Sequence, residues 1–190
     1  ALVILALSGC HRVWSVDARI RFGRWRGDGS LVTAWPRFLL VIQLFIVYFT
    51  AGFQKVGLSW TPLGDFSAPF IVLNDPSFAV ASAATLERWY PLTQFATAAT
   101  WVWEWSTPLA AMAWWYRATR TRPGWLRGWM NSAHFWTRWI VIGASFHVGT
   151  VLFMRLGMFP FGMLALYPAF FHPDEWIRWG RWIRRRGTAT

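Results

Sequence analysis

Lys55 is the residue whose type most directly suggests chemistry, because it is the one lysine among nineteen cationic side chains and all the others are arginine. A guanidinium stays protonated at any useful pH, whereas an amine in an apolar pocket can lose its proton and act as a base. A site that needs only positive charge could use arginine, so the lysine favours a base. Codon bias toward arginine would also leave a single lysine, and the residue type alone does not decide between the two explanations.

A helical face places Lys55 in line with four other residues. Residues spaced alternately by four and three lie on one face of a helix. Val41, Phe45, Tyr48, Gly52 and Lys55 follow this spacing. The face therefore offers a phenol, a gap and an amine. The alternative is a packed apolar stripe that ends in a lysine whose amine reaches the lipid headgroups, which is common for cations at helix ends.

Glu104 is the second candidate, since it lies in the middle of the apolar stretch WVWEWSTP. A carboxylate near the centre of a bilayer costs about 3 kcal/mol on insertion scales, so it must face protein, water or a partner. Its alternative role is a structural hydrogen bond beside Pro108. Arg155 is the other charge within an apolar region, and we expect it either to pair with Glu104 as buried polar support or to recognise an anion.

His147 has Gly143 and Thr150 on its helical face, so another group can approach the imidazole closely. A lone histidine in a core is more often satisfied structurally. No second histidine or acid lies three or four residues away, and a metal site built on this helix is therefore not expected.

The composition indicates which kind of element must position these residues. The chain has 190 residues, of which 55% are hydrophobic, 19% aromatic and only 14% charged, with 17 tryptophans. This balance is typical of an integral membrane protein, and we expect the tryptophans to form interfacial belts. The net charge of +11 comes from arginine blocks between apolar runs, which indicates membrane topology and contacts with lipid headgroups rather than nucleic-acid binding.

Long apolar runs predict an all-α fold, a polytopic transmembrane helical bundle with a broken C-terminal helical hairpin. We expect a single membrane domain over residues 1–190. Its predicted spans are residues 1–9 (partial), 37–55, 91–116, 139–154 and 157–171. Because the chain begins within an apolar run, we expect further helices before residue 1.

The distribution of charge predicts the sidedness of the loops. Arginines concentrate on the cytoplasmic side of membranes, and they are frequent in residues 12–36, 117–138 and 173–190, which we expect to be two cytoplasmic loops and a cytoplasmic tail. Residues 56–90 carry more acids and are expected to form an exoplasmic loop. The tail returns to the cytoplasmic side only if the last apolar block crosses twice, so an even number of crossings is favoured there.

Three stretches together resemble the membrane part of the vitamin K-dependent gamma-carboxylase family and its bacterial relatives, the horizontally transferred transmembrane (HTTM) domain. They are WSVDA at 14–18, QLFIVYFTAGFQK at 43–55 with Trp60, and the stretch from FH at 146–147 through LGMF at 156–159 to YP at 167–168. The second is similar to the family motif Q-x-x-I-V-Y-F-x-A-G-x-x-K. The order and spacing of the three agree over most of the chain.

The resemblance implies specific roles. The lysine of the family's A-G-x-x-K motif deprotonates vitamin K hydroquinone, and it falls on Lys55. The membrane histidine, which shapes the reaction centre or binds the substrate glutamate, falls on His147. The implied reactants are vitamin K hydroquinone or a related quinol with O2, and CO2 in carboxylation, without a metal. The quinone pocket would use Gly52 as a gap and Phe45, Tyr48 and Trp60 as aromatic walls.

The expected function is thus oxidation of a membrane hydroquinone with O2, of the epoxidase type. The family's lumenal domain has no counterpart after Thr190, so we do not expect carboxylation. The alternative is a non-catalytic membrane scaffold or subunit of a larger membrane complex that retains the fold, and Arg12 and Arg155 depart from the family pattern in its favour. Expected partners are membrane lipids, a quinone and, for a scaffold, other membrane subunits, in a bacterial inner membrane.

Overall fold

The computed structural model describes residues 2–12, 15–25, 29–30 and 32–187, so Trp14 of the WSVDA stretch lies outside the described residues. Within these ranges the ordered elements are helical, and an isolated antiparallel bridge between Ala79 and Met154 is the strand-like pairing. The predicted all-α class is confirmed. The helices are α1 Leu2–Leu7, α2 Val16–Phe22, α3 Trp35–Gln54, α4 Ala68–Leu73, α5 Ala83–Arg88, α6 Tyr90–Trp105, α7 Thr107–Ala118, α8 Trp125–Ser132, α9 Phe135–Phe153, α10 Phe159–Leu166 and α11 Pro173–Gly187. Short 3-10 turns cover Cys10–Arg12, Leu58–Trp60, Pro62–Gly64 and Tyr167–Phe170.

The chain divides into two compact units, whereas the sequence predicts a single membrane domain. One unit consists of Ala1–Leu44 with Ala169–Thr190, and the other of Phe45–Pro168. Every candidate site residue named above lies in the second unit.

The first unit contains α1, α2, the start of α3 and α11. The Ser15 hydroxyl accepts from the backbone N–H of Ala18 at 3.0 Å and begins α2, and Gly23 ends it with a φ of 65°. Asp17 and Arg21 form an exposed ion pair at 2.9 Å on this helix. Such pairs contribute little to stability, so the caps define α2.

Among the residues that the structure describes, α3 alone is long and apolar enough to cross a membrane by length and composition. The predicted span over 91–116 is instead two helices that meet at Ser106. Pro108 explains the break, because it lacks an N–H and its ring crowds the carbonyl of Glu104 four residues earlier. The Thr107 hydroxyl donates to that carbonyl at 2.6 Å and satisfies it.

The break expected in the last apolar block lies between Phe153 and Phe159. Met154 is extended, and the backbone N–H of Arg155 donates to the carbonyl of Phe78 at 3.0 Å. Gly157 has a φ of 57°, in the left-handed region that favours glycine. The backbone therefore leaves the helix to pair with the segment before α5, and then re-enters a helix at α10.

The segments predicted as loops also contain helices, since α4 and α5 lie within 56–90 and α8 lies within 117–138. These helices are six to eight residues long. A search for apolar runs long enough to span a bilayer passes over them, which is why the sequence did not predict them.

Aromatic side chains form the core of the second unit. Trp103 on α6 stacks on Trp139 of α9 with ring centroids 4.8 Å apart, and the Trp103 indole N–H donates to the carbonyl of Trp139 at 2.9 Å. Trp136 stacks on Trp139 in turn. These three tryptophans are buried, so the expected interfacial belts do not include them.

Gly143 on α9 provides a test of this packing. A Cβ at this position would overlap the Trp103 ring and the Tyr167 hydroxyl. We expect Gly143→Ala to lower the free energy of unfolding by about 3 kcal/mol, because a rigid stacked ring has to shift. Gly149→Ala on the same helix is the control, since a Cβ there meets nothing within 4 Å. Equal denaturation midpoints for the two variants in detergent would contradict the close packing at Gly143.

Candidate functional site

The face of α3 predicted from the sequence is buried in the structure. Val41, Phe45 and Tyr48 are 8% exposed or less, Gly52 is buried and Lys55 is intermediate. The face therefore brings Tyr48 and Lys55 into the interior at two levels of one helix. Seven residues separate them, which corresponds to about 10 Å along the helix axis.

The lower level is a charged pair between Lys55 and Glu104. The Lys55 amine donates to the Oε2 atom of Glu104, and the two side chains are 17% and 5% exposed. The amine also lies 4.8 Å from the ring centroid of Trp60, over its face. Lys55 follows the last residue of α3, where the negative end of the helix dipole favours a cation. Carboxylate, aromatic ring and helix end thus converge on one amine.

Gly52 makes this pair possible by letting α3 and α6 approach closely. A Cβ on Gly52 would lie 2.9 Å from the Cβ of Glu104 and 3.3 Å from its carbonyl carbon. Glu104 thus occupies the space beside Gly52 where the sequence analysis expects a gap for a quinone ring.

The upper level is a buried hydrogen-bonded cluster around Tyr48. Its hydroxyl lies 2.9 Å from Nε2 of His147 and donates to the hydroxyl of Tyr167 at 3.1 Å. The Tyr48 hydroxyl thus joins His147 and Tyr167 in one hydrogen-bonded chain. Nδ1 of His147 is buried with no hydrogen-bond partner among the described residues. His147 itself is 1% exposed.

The other predicted pocket walls pack tightly. Phe45 makes edge contacts with Trp114 and Trp136, with ring centroids 6.0 and 6.1 Å apart. The Tyr48 ring makes an edge contact with the Trp103 ring, with ring centroids 4.6 Å apart. Phe45 and Tyr48 thus belong to the aromatic core, and of the three predicted wall residues Trp60 is the one that contacts the Lys55 amine.

Two cavities formed by described residues lie elsewhere in the second unit. An apolar cavity of about 250 Å³ is lined by Leu73, Leu86 and Trp89 on one side and by Phe146 and Thr150 on the other. A basic cleft of about 820 Å³ lies where α7, α8 and α9 meet. Neither Lys55 nor His147 lines either of them. Thr150, one turn after His147, links the Tyr48 cluster to the wall of the apolar cavity.

Arg155 departs from its predicted role as buried polar support. Its side chain is exposed, and Glu104 pairs with Lys55 instead. The cause is the helix break at Phe153, which carries Arg155 out of the helix before it can face α6.

Tyr167 is the site residue that sequence reasoning missed. A tyrosine within the apolar run of the last block was the available signal, since a buried hydroxyl needs a hydrogen-bond partner. Its partner, Tyr48, is 119 residues away in the chain. No spacing within one helix could have revealed this pair.

Tyr48→Phe tests the upper cluster. Removing the hydroxyl leaves Tyr167 and His147 without their shared partner, and we expect the free energy of unfolding to fall by about 2 kcal/mol. Tyr116→Phe is the matched control, because Tyr116 contacts Arg127 through its ring face. If both variants unfold at the wild-type denaturant concentration, the Tyr48 hydroxyl contributes nothing to the core.

Comparison with known proteins supports the resemblance in the N-terminal part of the chain. The family model described as the HTTM domain matches residues 1–73. No curated protein and no solved structure matches the chain significantly. The matched region contains α3, Lys55 and Trp60, and it precedes Glu104 and His147. The match over residues 1–73 is consistent with the gamma-carboxylase-like HTTM membrane domain that the motifs predict.

Proposed function

We propose that this protein is an integral membrane oxidoreductase that oxidises a membrane-soluble hydroquinone with O2 and uses Lys55 as the base. The observation that carries the proposal is the partly buried Lys55 amine held between Glu104 and Trp60. The Lys55 side chain is 17% exposed, so it is not sealed from a substrate. It also lies within the part of the chain that matches the HTTM domain.

An amine paired with a carboxylate carries a proton, and a base must first lose it. Glu104 supplies the acceptor, because its Oε2 atom already receives a hydrogen bond from Lys55. Transfer of that proton leaves a neutral amine and a neutral acid with no change in net charge. Burial of the pair reduces the cost of this transfer, because the charged forms of both groups lose hydration that the neutral forms need less. The amine can then accept a hydroxyl proton from the hydroquinone.

An exposed aromatic trio beside the pair suits a quinone better than the closed space at Gly52. The ring centroids of Phe49 and Phe53 on α3 lie 6.3 and 6.2 Å from the ring centroid of Trp105 on α6. All three residues are at least 40% exposed. Trp105 directly follows Glu104. An isoprenoid substrate arriving through the bilayer would meet these rings first and the Lys55 amine next.

The membrane arrangement belongs to the same proposal. In it α3 spans the bilayer, α6 with α7 forms a second, kinked crossing, and α9 with α10 forms a broken hairpin. The arginine-rich segments then face the cytoplasm of a bacterial cell. Such a topology follows from the charge distribution.

The decisive experiment places the full chain in nanodiscs with vitamin K hydroquinone and ¹⁸O2. The readout is incorporation of ¹⁸O into the quinone epoxide, measured by mass spectrometry against protein-free nanodiscs. Incorporation above that background supports the proposal. Well-folded protein that consumes neither vitamin K hydroquinone, menaquinol nor ubiquinol contradicts it.

A non-catalytic membrane scaffold is the second candidate, and a specific observation favours it. Lys55 and His147, the two residues with implied catalytic roles, contact different partners and line neither of the two cavities. A scaffold would keep both clusters for stability alone. It would therefore show no quinol consumption while requiring Glu104 and Tyr48 for folding.

A further inference from the structure

The basic cleft between α7, α8 and α9 combines a cationic surface with an apolar one. One surface carries the cationic side chains of Arg117, Arg120 and Arg138 with His134, and the other carries Val141 and Ile142. We propose that this cleft binds the phosphate headgroup of an anionic phospholipid and holds the start of its acyl chain. The proposal does not rest on quinone chemistry.

The charge of the cleft suits a phosphate. Three guanidinium groups line it, and residues 117–138 contain no aspartate or glutamate. A guanidinium matches phosphate oxygens with two parallel hydrogen bonds, which makes arginine well suited to phosphate recognition. Among the described residues no salt bridge joins Arg120 or Arg138 to an acid, so an anion from outside the protein complements these two side chains.

The apolar wall indicates a lipid. Val141 and Ile142 follow Arg138 by three and four residues on α9, so they lie one turn, about 5 Å, from it along the helix. They are 56% and 50% exposed. A phospholipid has the same sequence of groups, with a charged phosphate followed by hydrocarbon. A free phosphate would make no use of these two side chains.

The position of α8 places the cleft at the depth of the headgroups. Trp125 and Trp129 lie on one face of α8 and are 83% and 55% exposed. Tryptophan rings prefer the boundary between hydrocarbon and headgroups. Exposed rings on the helix that borders the cleft would therefore anchor its mouth at that boundary.

Defined contacts hold α8 in place against α7, so the cleft is built rather than incidental. The Asn131 side-chain amide donates to the carbonyl of Tyr116 at 3.2 Å. The Arg127 guanidinium stacks on the Tyr116 ring at 4.8 Å and donates to the carbonyl of Pro123 at 2.7 Å. With α8 fixed in this way, the part of the cleft wall that α8 forms through Asn131 does not have to be ordered by the ligand.

The test is a binding measurement on the purified full chain in a neutral detergent. Phosphatidylglycerol, phosphatidylcholine and inorganic phosphate are titrated separately, and bound lipid is counted by native mass spectrometry. We expect the double variant Arg120→Gln with Arg138→Gln to bind phosphatidylglycerol at least tenfold more weakly than wild type. The matched control is Arg88→Gln with Arg122→Gln, which removes two exposed arginines that do not line the cleft.

A further variant separates the two sources of phosphate. Val141→Asn should weaken phosphatidylglycerol binding and leave inorganic phosphate binding unchanged, because only a lipid uses the apolar wall. Equal loss of phosphatidylglycerol in the cleft variant and in its control would overturn the proposal, since the effect would then be net charge. Inorganic phosphate bound as tightly as phosphatidylglycerol, or phosphatidylcholine bound equally well, would overturn it too.

Discussion

Replacing Lys55 with arginine is expected to leave the protein folded and to lower hydroquinone turnover by about 100-fold or more, the usual contribution of a general base. Arginine can keep both contacts of Lys55, because a guanidinium pairs with the carboxylate of Glu104 and stacks on the face of Trp60. It cannot give up its proton. The substitution thus removes the base and retains the charge, and ¹⁸O incorporation into the epoxide measures the difference.

Two comparisons control this prediction. Lys55→Arg should unfold within about 1 kcal/mol of wild type, as expected for a variant that retains its partners, whereas Lys55→Ala loses turnover and stability together. Hydroquinone turnover retained in Lys55→Arg would show that the protein is active and would contradict the role of Lys55 as its base. The pair of variants thus separates loss of chemistry from loss of fold.

The sequence predicted the face of α3 well because periodicity within one helix is a local property. Phe45, Tyr48 and Lys55 share that face for geometric reasons that need no tertiary information. The all-α class followed from the same local signals. The family match over residues 1–73 also covers this region, so the resemblance was most secure where the local pattern was strongest.

The partner of Glu104 could not be predicted in the same way. Lys55 lies 49 residues before Glu104 in the chain, and Arg155 is about as far after it. The choice depends on the close approach of α3 and α6 at Gly52 and on the break that carries Arg155 away. Both are tertiary features, and Gly52 on its own fitted a substrate gap as well as a helix contact.

The division of the predicted span at 91–116 was within reach of the sequence. Pro108 disfavours a continuous helix through the carbonyl of Glu104, and Thr107 beside it offers a hydroxyl to satisfy that carbonyl. The predicted span over 91–116 follows the overall hydropathy of the segment and not the local effect of Pro108. The break also sets the position of Glu104. Because α6 ends at Trp105, Glu104 lies near the end of a helix and contacts Lys55, just after the end of α3.

Removing the carboxylate of Glu104 is expected to lower the free energy of unfolding by about 4 kcal/mol, which is typical when one partner of a buried ion pair is lost. Glu104→Ala leaves the Lys55 ammonium beside apolar groups with only Trp60 as a partner. The measurement is chemical denaturation in detergent micelles, with Glu87→Ala as the control because Glu87 is exposed on α5. We expect the control to change stability by less than about 0.5 kcal/mol.

The double variant Lys55→Met with Glu104→Leu makes the cause of that loss measurable. Replacing both ions with apolar side chains of similar volume removes the unpaired charge, so most of the lost stability should return. If the double variant is as unstable as the sum of its single variants, the pair is not coupled and Glu104 stabilises α6 in another way. If stability returns while quinol turnover does not, the pair is retained for chemistry, because an apolar pair would then fold equally well and do nothing.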